Sequence, residues 1–281
     1  MISEFINFKV HTQFSICEGA VKISKLAKFC KESNVSAVGI CDKSNLSGAL
    51  EFSQELSKQN IQPLIGTSIF LKEFVDRKIV YGQLTLFAKS ENGYKNLLKL
   101  SSQSYLNLNE NDDYPNISIE TLKANHEGLI VLVGGSKSFF SDLLLLNKDK
   151  YCFDQINYLK KIFNRDIYIE IQRHQEKHER QLEKKLLQIS SNLSIPIIAS
   201  NEVFYLNKET YDAHDAFLCV GEKTYVNEKN RLKYSNQHYF KNSKEFAELF
   251  KDLPDALENN KNFKYRFNFF PKKNNPLLPT F

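Results

Sequence analysis

Short apolar runs alternating with helical patterns constrain this chain more than any other feature. The first run, Phe5 to His11, sets Ile6, Phe8 and Val10 against Asn7, Lys9 and His11, the period-2 pattern of a strand with one apolar face. Five further runs are near-continuous apolar: Ala37 to Cys41, Pro63 to Leu71, Leu84 to Ala88, Leu129 to Val133 and Ile195 to Ser200. Asp166 to Ile171 completes the set. Between them lie amphipathic patterns, the clearest being Ile23, Leu26, Ala27 and Cys30 at i, i+3, i+4 and i+7. Others run from Ala49 to Leu56, Gly93 to Leu100, Phe139 to Leu146, Tyr151 to Phe163, Gln175 to Ser191, Thr210 to Cys219 and Lys244 to Lys251. Residues 107–118, rich in Asn, Asp and Pro, read as a surface loop. This alternation predicts an α/β protein whose parallel strands are joined by helical crossovers, and about seven such units favour a barrel over an open sheet.

Composition narrows the class further. With 281 residues and 42% hydrophobic side chains, a large core is available and disorder is excluded. Thirty-eight basic against 33 acidic residues give a net charge of +5, which permits an anionic partner without requiring one. Cys17, Cys30, Cys41, Cys152 and Cys219 are scattered without a C-x-x-C pair, which argues against structural zinc and suits a reducing compartment. Met1-Ile2-Ser3-Glu4-Phe5 lacks a basic or apolar leader pattern, and no apolar run reaches membrane-spanning length. The expectation is a soluble cytoplasmic protein.

In a barrel of parallel strands the reactive groups gather at the C-terminal strand ends. The polar residues there are Lys9, His11, Glu18, Asp42, Lys43, Ser68, Gln83, His174 and Glu202. Two imidazoles and three carboxylates suit a hard or borderline metal, whereas two protonated lysines repel one. A metal site and a charge-compensated polar cluster both remain open on spacing alone. His174 and His178 stand at i, i+4, but Glu176 is one place late for the zinc-protease pattern, so they read as a surface pair. Gly134-Gly135 lacks phosphate-loop spacing and reads as a strand-ending turn. Tyr, Phe and Lys recur between 225 and 270, where bases could stack or a helical core could form.

The order of motifs resembles the PHP (polymerase and histidinol phosphatase) domain found at the N-terminus of bacterial DNA polymerase III alpha subunits. The matching segments include Lys9-Val10-His11-Thr12-Gln13-Phe14-Ser15, Cys41-Asp42-Lys43-Ser44-Asn45-Leu46-Ser47-Gly48, Gln62-Pro63-Leu64-Ile65-Gly66 and Gly93-Tyr94-Lys95-Asn96-Leu97. Glu170-Ile171-Gln172-Arg173-His174, Ala199-Ser200-Asn201-Glu202-Val203, Ala213-His214-Asp215 and the stretch from Glu248 to Asn259 continue the order. Leu278-Pro279-Thr280-Phe281 resembles the approach to a polymerase palm.

This resemblance implies a PHP-type (β/α)7 distorted TIM-like barrel over 1–262, with 263–281 a linker to a polymerase palm. Metal-loaded relatives hold up to three metals for phosphoester hydrolysis, including 3′–5′ exonuclease activity. The corresponding positions are Lys9, His11, Glu18, Lys43, Ser68, Gln83, Gly135, Glu202 and Phe204, with Asp42 and His174 supporting them. Only His11 keeps its type; Glu18 and Glu202 replace Asp, and six positions lose a ligand. The resemblance thus implies a metal-free scaffold with no catalytic residues of its own, Lys9 and Lys43 standing in for cations. Its partners would be the rest of the alpha subunit, a proofreading exonuclease and, indirectly, DNA. The alternative is a residual phosphoesterase or 3′–5′ exonuclease with zinc, manganese or iron on His11, Glu18 and Glu202. Nucleotidyl transfer with magnesium would belong to the palm, beyond residue 281.

Overall fold

A computed structural model describes residues 4–273 of this chain. Among the described residues nine strands form one sheet: β1 (Lys9–Val10), β2 (Ala37–Lys43), β3 (Gln62–Val75), β4 (Lys78–Ala88), β5 (Asn116–Ile117), β6 (Leu129–Gly134), β7 (Ile167–Gln172), β8 (Ile197–Ser200) and β9 (Glu202–Val203). The ladder runs β8-β7-β6-β4-β3-β2-β1-β9, with β5 added beside β3. Its two terminal strands, β8 and β9, are separated in sequence by Asn201 alone. A ladder whose ends are joined by one residue must curl, and the result is a nearly closed barrel.

Ten α-helices accompany the strands among the described residues: α1 (Ile23–Glu32), α2 (Ala49–Ser57), α3 (Glu91–Leu106), α4 (Ile119–Ala124), α5 (Phe139–Leu145), α6 (Asp149–Phe163), α7 (Glu179–Leu193), α8 (Tyr211–Glu222), α9 (Ser243–Leu249) and α10 (Pro254–Phe263). The i, i+3, i+4, i+7 stripe of α1 is buried as its spacing requires. Ser90 caps α3 by accepting from the Gly93 N–H, and Asn242 with Glu245 forms a capping box on α9. No described helix is long and apolar enough to cross a membrane.

One expectation needs correction. The strands are not all parallel: β4 runs antiparallel to both β3 and β6. Asp76 and Arg77, at φ 46° and 66°, close a tight β3–β4 hairpin, and their lack of glycine hid it. The first strand is buried on both faces. Asn7, Lys9 and His11 are as buried as Ile6, Phe8 and Val10, because the barrel covers one side and helices the other.

Phe8, Leu64, Phe87, Ile130, Leu132, Tyr168 and Ile198 form one cluster with Phe263 and Phe267. Only the inside of a barrel can gather side chains from strands so far apart in the ladder. Phe263 lies 4.7 Å from the Phe8 ring. Packing therefore continues past residue 262, and the Pro271 carbonyl still accepts from Ser53 Oγ at 2.6 Å. The palm-like segment Leu278–Phe281 lies outside the described residues.

Candidate functional site

The strand ends converge on buried charge. Register sets Lys9 opposite Glu202, and the barrel brings Glu170 of β7 across to the same ammonium. Lys9 Nζ lies 3.4 Å from Glu170 Oε2 and 3.5 Å from Glu202 Oε1. His11 Nε2 donates to Glu202 Oε1 at 3.0 Å. Gln172 and Ser200 also donate to Glu170, at 3.0 and 2.5 Å. Lys9 is 5% exposed, His11 2%, Glu202 3% and Glu170 0%. Burial opposes the Lys9 charge, but the Glu170 and Glu202 carboxylates outweigh it and raise its pKa. Burial likewise opposes ionisation of Glu202, yet Lys9 and His11 hold it well below the usual carboxylate range.

A second pair closes the rim. Lys43 bonds Glu18, and the Tyr234 hydroxyl donates to the other Glu18 oxygen at 2.5 Å. Glu18 ionises below its ordinary value because Lys43 and Tyr234 overcome burial. Lys137 Nζ stands 3.6 Å from the centre of the Tyr234 ring. Phe204 stacks on His11 at 4.4 Å and on Tyr234 at 4.2 Å, so aromatic rings fill the space above the His11 strand.

The remaining expected positions divide. Asp42 accepts from Thr12 N and Oγ1 at 2.6 Å and from Ser15 Oγ at 2.7 Å; burial raises its pKa despite these bonds. It braces the loop behind His11. Ser68 sits in a neutral network, 3.3 Å from Cys41 Sγ and 3.4 Å from Thr85 Oγ1. Gln83 makes no side-chain hydrogen bond among the described residues. Gly135 adopts φ +83°, and a Cβ there would come within 3.0 Å of Glu170 Oε2 and Gln172 Oε1. No larger side chain enters without displacing them. The Gly135 and Ser136 amides donate to Glu170 O and Gln172 Oε1, so this turn has no phosphate cradle.

His174 overturns the surface-pair expectation. It is 1% exposed and stacks on His238 at 4.0 Å, whereas His178 is exposed. Its Nε2 lies 3.1 Å from both the Glu202 N–H and Asn201 Oδ1, and its Nδ1 stands 3.3 Å from Glu179 Oε1. Burial, reinforced by Lys241, lowers the His174 pKa to about 3. It supports the Glu202 backbone, not the reactive end of a site.

Glu170, Lys137, Tyr234 and His238 escaped the sequence reading. Glu170 had a signal: Tyr168, Glu170 and Gln172 alternate as one polar face of a strand with apolar neighbours. Tyr234 and His238 lie in the irregular stretch between α8 and α9, where no periodicity marks them.

The arrangement sets lysine ammonium groups against the carboxylates. Among the described residues, no three His, Cys, Asp or Glu side chains converge as a metal site would require. His11 and Glu202 face an ammonium instead of a third donor.

The PHP domain family model matches residues 7–174. This chain belongs to the PHP domain family. Over 266 residues it is 39% identical to DNA polymerase III subunit alpha of Borreliella burgdorferi, covering 92% of this chain and 23% of that protein. The corresponding subunit of Rickettsia bellii is 35% identical over 281 residues, covering 100% of this chain and 24% of its own length. That of Caulobacter vibrioides is 32% identical over 281 residues, with 99% and 24% covered. The PHP domain here thus spans about a quarter of the length of these relatives.

Proposed function

We propose that this PHP domain is the N-terminal part of a replicative DNA polymerase III alpha subunit and serves there as a metal-free scaffold in the cytoplasm. Relatives of that name align along nearly the whole chain. The observation that carries the scaffold reading is the buried Lys9 ammonium between Glu170 and Glu202. A fixed cation there supplies the positive charge that would otherwise have to be recruited, and Lys43 does the same for Glu18. Phe204 stacks between His11 and Tyr234, so the histidine ring is covered by an aromatic side chain. The domain would pack on the rest of the alpha subunit and offer a surface to a proofreading exonuclease subunit. DNA-directed polymerisation would belong to acidic, magnesium-binding residues of the palm.

Elemental analysis of chelator-free protein, paired with 3′-labelled single-stranded DNA and manganese, tests this. The expected result is no stoichiometric zinc, manganese or iron and no shortening of the DNA. Stoichiometric metal, or cleavage abolished by His11→Ala and Glu202→Gln, would establish the residual 3′–5′ exonuclease instead.

A further inference from the structure

Helix α8 carries two stripes of side chains, and the barrel covers one of them. His214, Asp215, Leu218 and Cys219 turn inward and are buried. Ala213, Ala216, Phe217 and Val220 follow at i, i+3, i+4 and i+7 on the other side, and all four are exposed. A single exposed apolar residue is ordinary, whereas a complete helical stripe of them marks a face that another surface covers.

The stripe is part of a larger patch. A Cβ on Gly221 would come within 2.5 Å of Cys17 Cβ, so the β1–α1 loop lies against the last turn of α8 and brings Ile16 to that end of the helix. Tyr225 and Val226 follow α8 directly, where the Thr224 N–H bonds back to Cys219 O. Ile16 is 80% exposed, Val220 76% and Tyr225 79%.

The stripe is complementary to itself. Two copies of α8 crossing antiparallel about a twofold axis between Ala216 and Phe217 set Ala216 of one copy against Phe217 of the other, and Ala213 against Val220. Each large side chain then meets a small one. Charge favours the same order. The stripe carries Glu209 and Asp212 at its N-terminal end and Lys223 at its C-terminal end, and none of the three has an ion-pair partner among the described residues. The antiparallel crossing brings Lys223 of each copy beside Glu209 and Asp212 of the other, whereas a parallel crossing would set carboxylates against carboxylates. The other charges at the two ends are turned elsewhere: Glu222 accepts from Leu232 N at 2.8 Å, and Lys208 stands 6.0 Å from the centre of the Tyr239 ring. A pair of 12-residue helices alone makes a small interface; Ile16, Tyr225 and Val226 enlarge it on both sides of the axis.

We propose that this face of α8 binds the same face of a second copy of the chain, forming a twofold-symmetric dimer. The inference makes no use of the polymerase reading. Sedimentation equilibrium of the 281-residue chain between about 1 and 100 μM tests it. The expected mass rises with concentration from one chain toward two. Val220→Asp should weaken association at least about tenfold, the loss expected when one aliphatic side chain no longer becomes buried. Because Val220 is exposed in the single chain, this variant should keep its circular dichroism spectrum and its melting temperature at low concentration. Lys223→Glu should weaken association several-fold, and the charge-exchanged variant Glu209→Lys/Asp212→Lys/Lys223→Glu should restore it, since it swaps the two ends of the stripe and keeps their attraction. A mass of one chain at about 100 μM overturns the proposal. So does a dimer indifferent to Val220→Asp or to Lys223→Glu, or a loss in Lys223→Glu that charge exchange does not restore. Each of these failures leaves the metal-free scaffold intact, because that reading is judged by metal content and DNA cleavage.

Discussion

Lys9 faces two carboxylates at 3.4 and 3.5 Å while being 5% exposed, so solvent can do little to replace them. Removing one partner of a buried ion pair leaves the other charge desolvated and uncompensated, at a cost of about 3–5 kcal/mol. Lys9→Met should therefore destabilise the domain by about that amount in urea unfolding, although methionine is unbranched and only one atom shorter. The double variant Lys9→Met/Glu202→Gln should lose less than the sum of the single changes, since it no longer strands the Glu202 charge and leaves only Glu170 without its ammonium. Simple additivity would show that the two residues do not interact. Strand periodicity was enough to find Lys9, His11 and Glu202, because each stands at the end of an apolar run. It could not identify Glu170 as their counter-charge. That contact joins residues 161 positions apart, and only the closure of the barrel brings them together.

At the scale of elements, α10 and the short 3₁₀ turn after it, Lys264–Arg266, act as a plug. Phe263 meets Phe8, Phe87, Tyr168 and Phe267, drawing on opposite sides of the barrel. Phe263→Ala should cost about 3–5 kcal/mol, the usual range for emptying a large aromatic site. A chain ending at residue 262 should melt well below one ending at 273, as differential scanning calorimetry would register; equal melting would show that the plug is dispensable. Most helices and strands were legible because their apolar spacing is regular. The β3–β4 hairpin was not, since Asp76-Arg77 carries no glycine and the reversal occurs within residues 72–83, which read as neither strand nor turn. Likewise Glu202–Val203 is too short to show a period, although it seals the ladder.

For the whole molecule, the buried imidazoles set the acid limit. Burial lowers His174 to about 3 and His238 to about 4, from an ordinary 6.5. Between those values the unfolded chain binds protons that the folded chain refuses, so folding stability rises with pH. It should be fully present above about 6.5 and fall progressively as pH drops toward about 3. Asp142, raised to about 6 by burial, contributes with the opposite sign between 3.8 and 6, but it is one group against two larger shifts. Urea midpoints measured from pH 8 to pH 4 should be flat and then decline; a midpoint unchanged down to pH 4 would mean that the imidazoles charge freely in the folded state. The sequence by itself determined the class of fold, the order of its elements and the place where polar groups would gather, because these follow from local periodicity and from which end of a strand each residue occupies. The tertiary structure decided what the polar groups do there. Which charges Lys9 would meet depended on which carboxylates stood across the barrel from it, and that is a property of closure, to which no local pattern is sensitive.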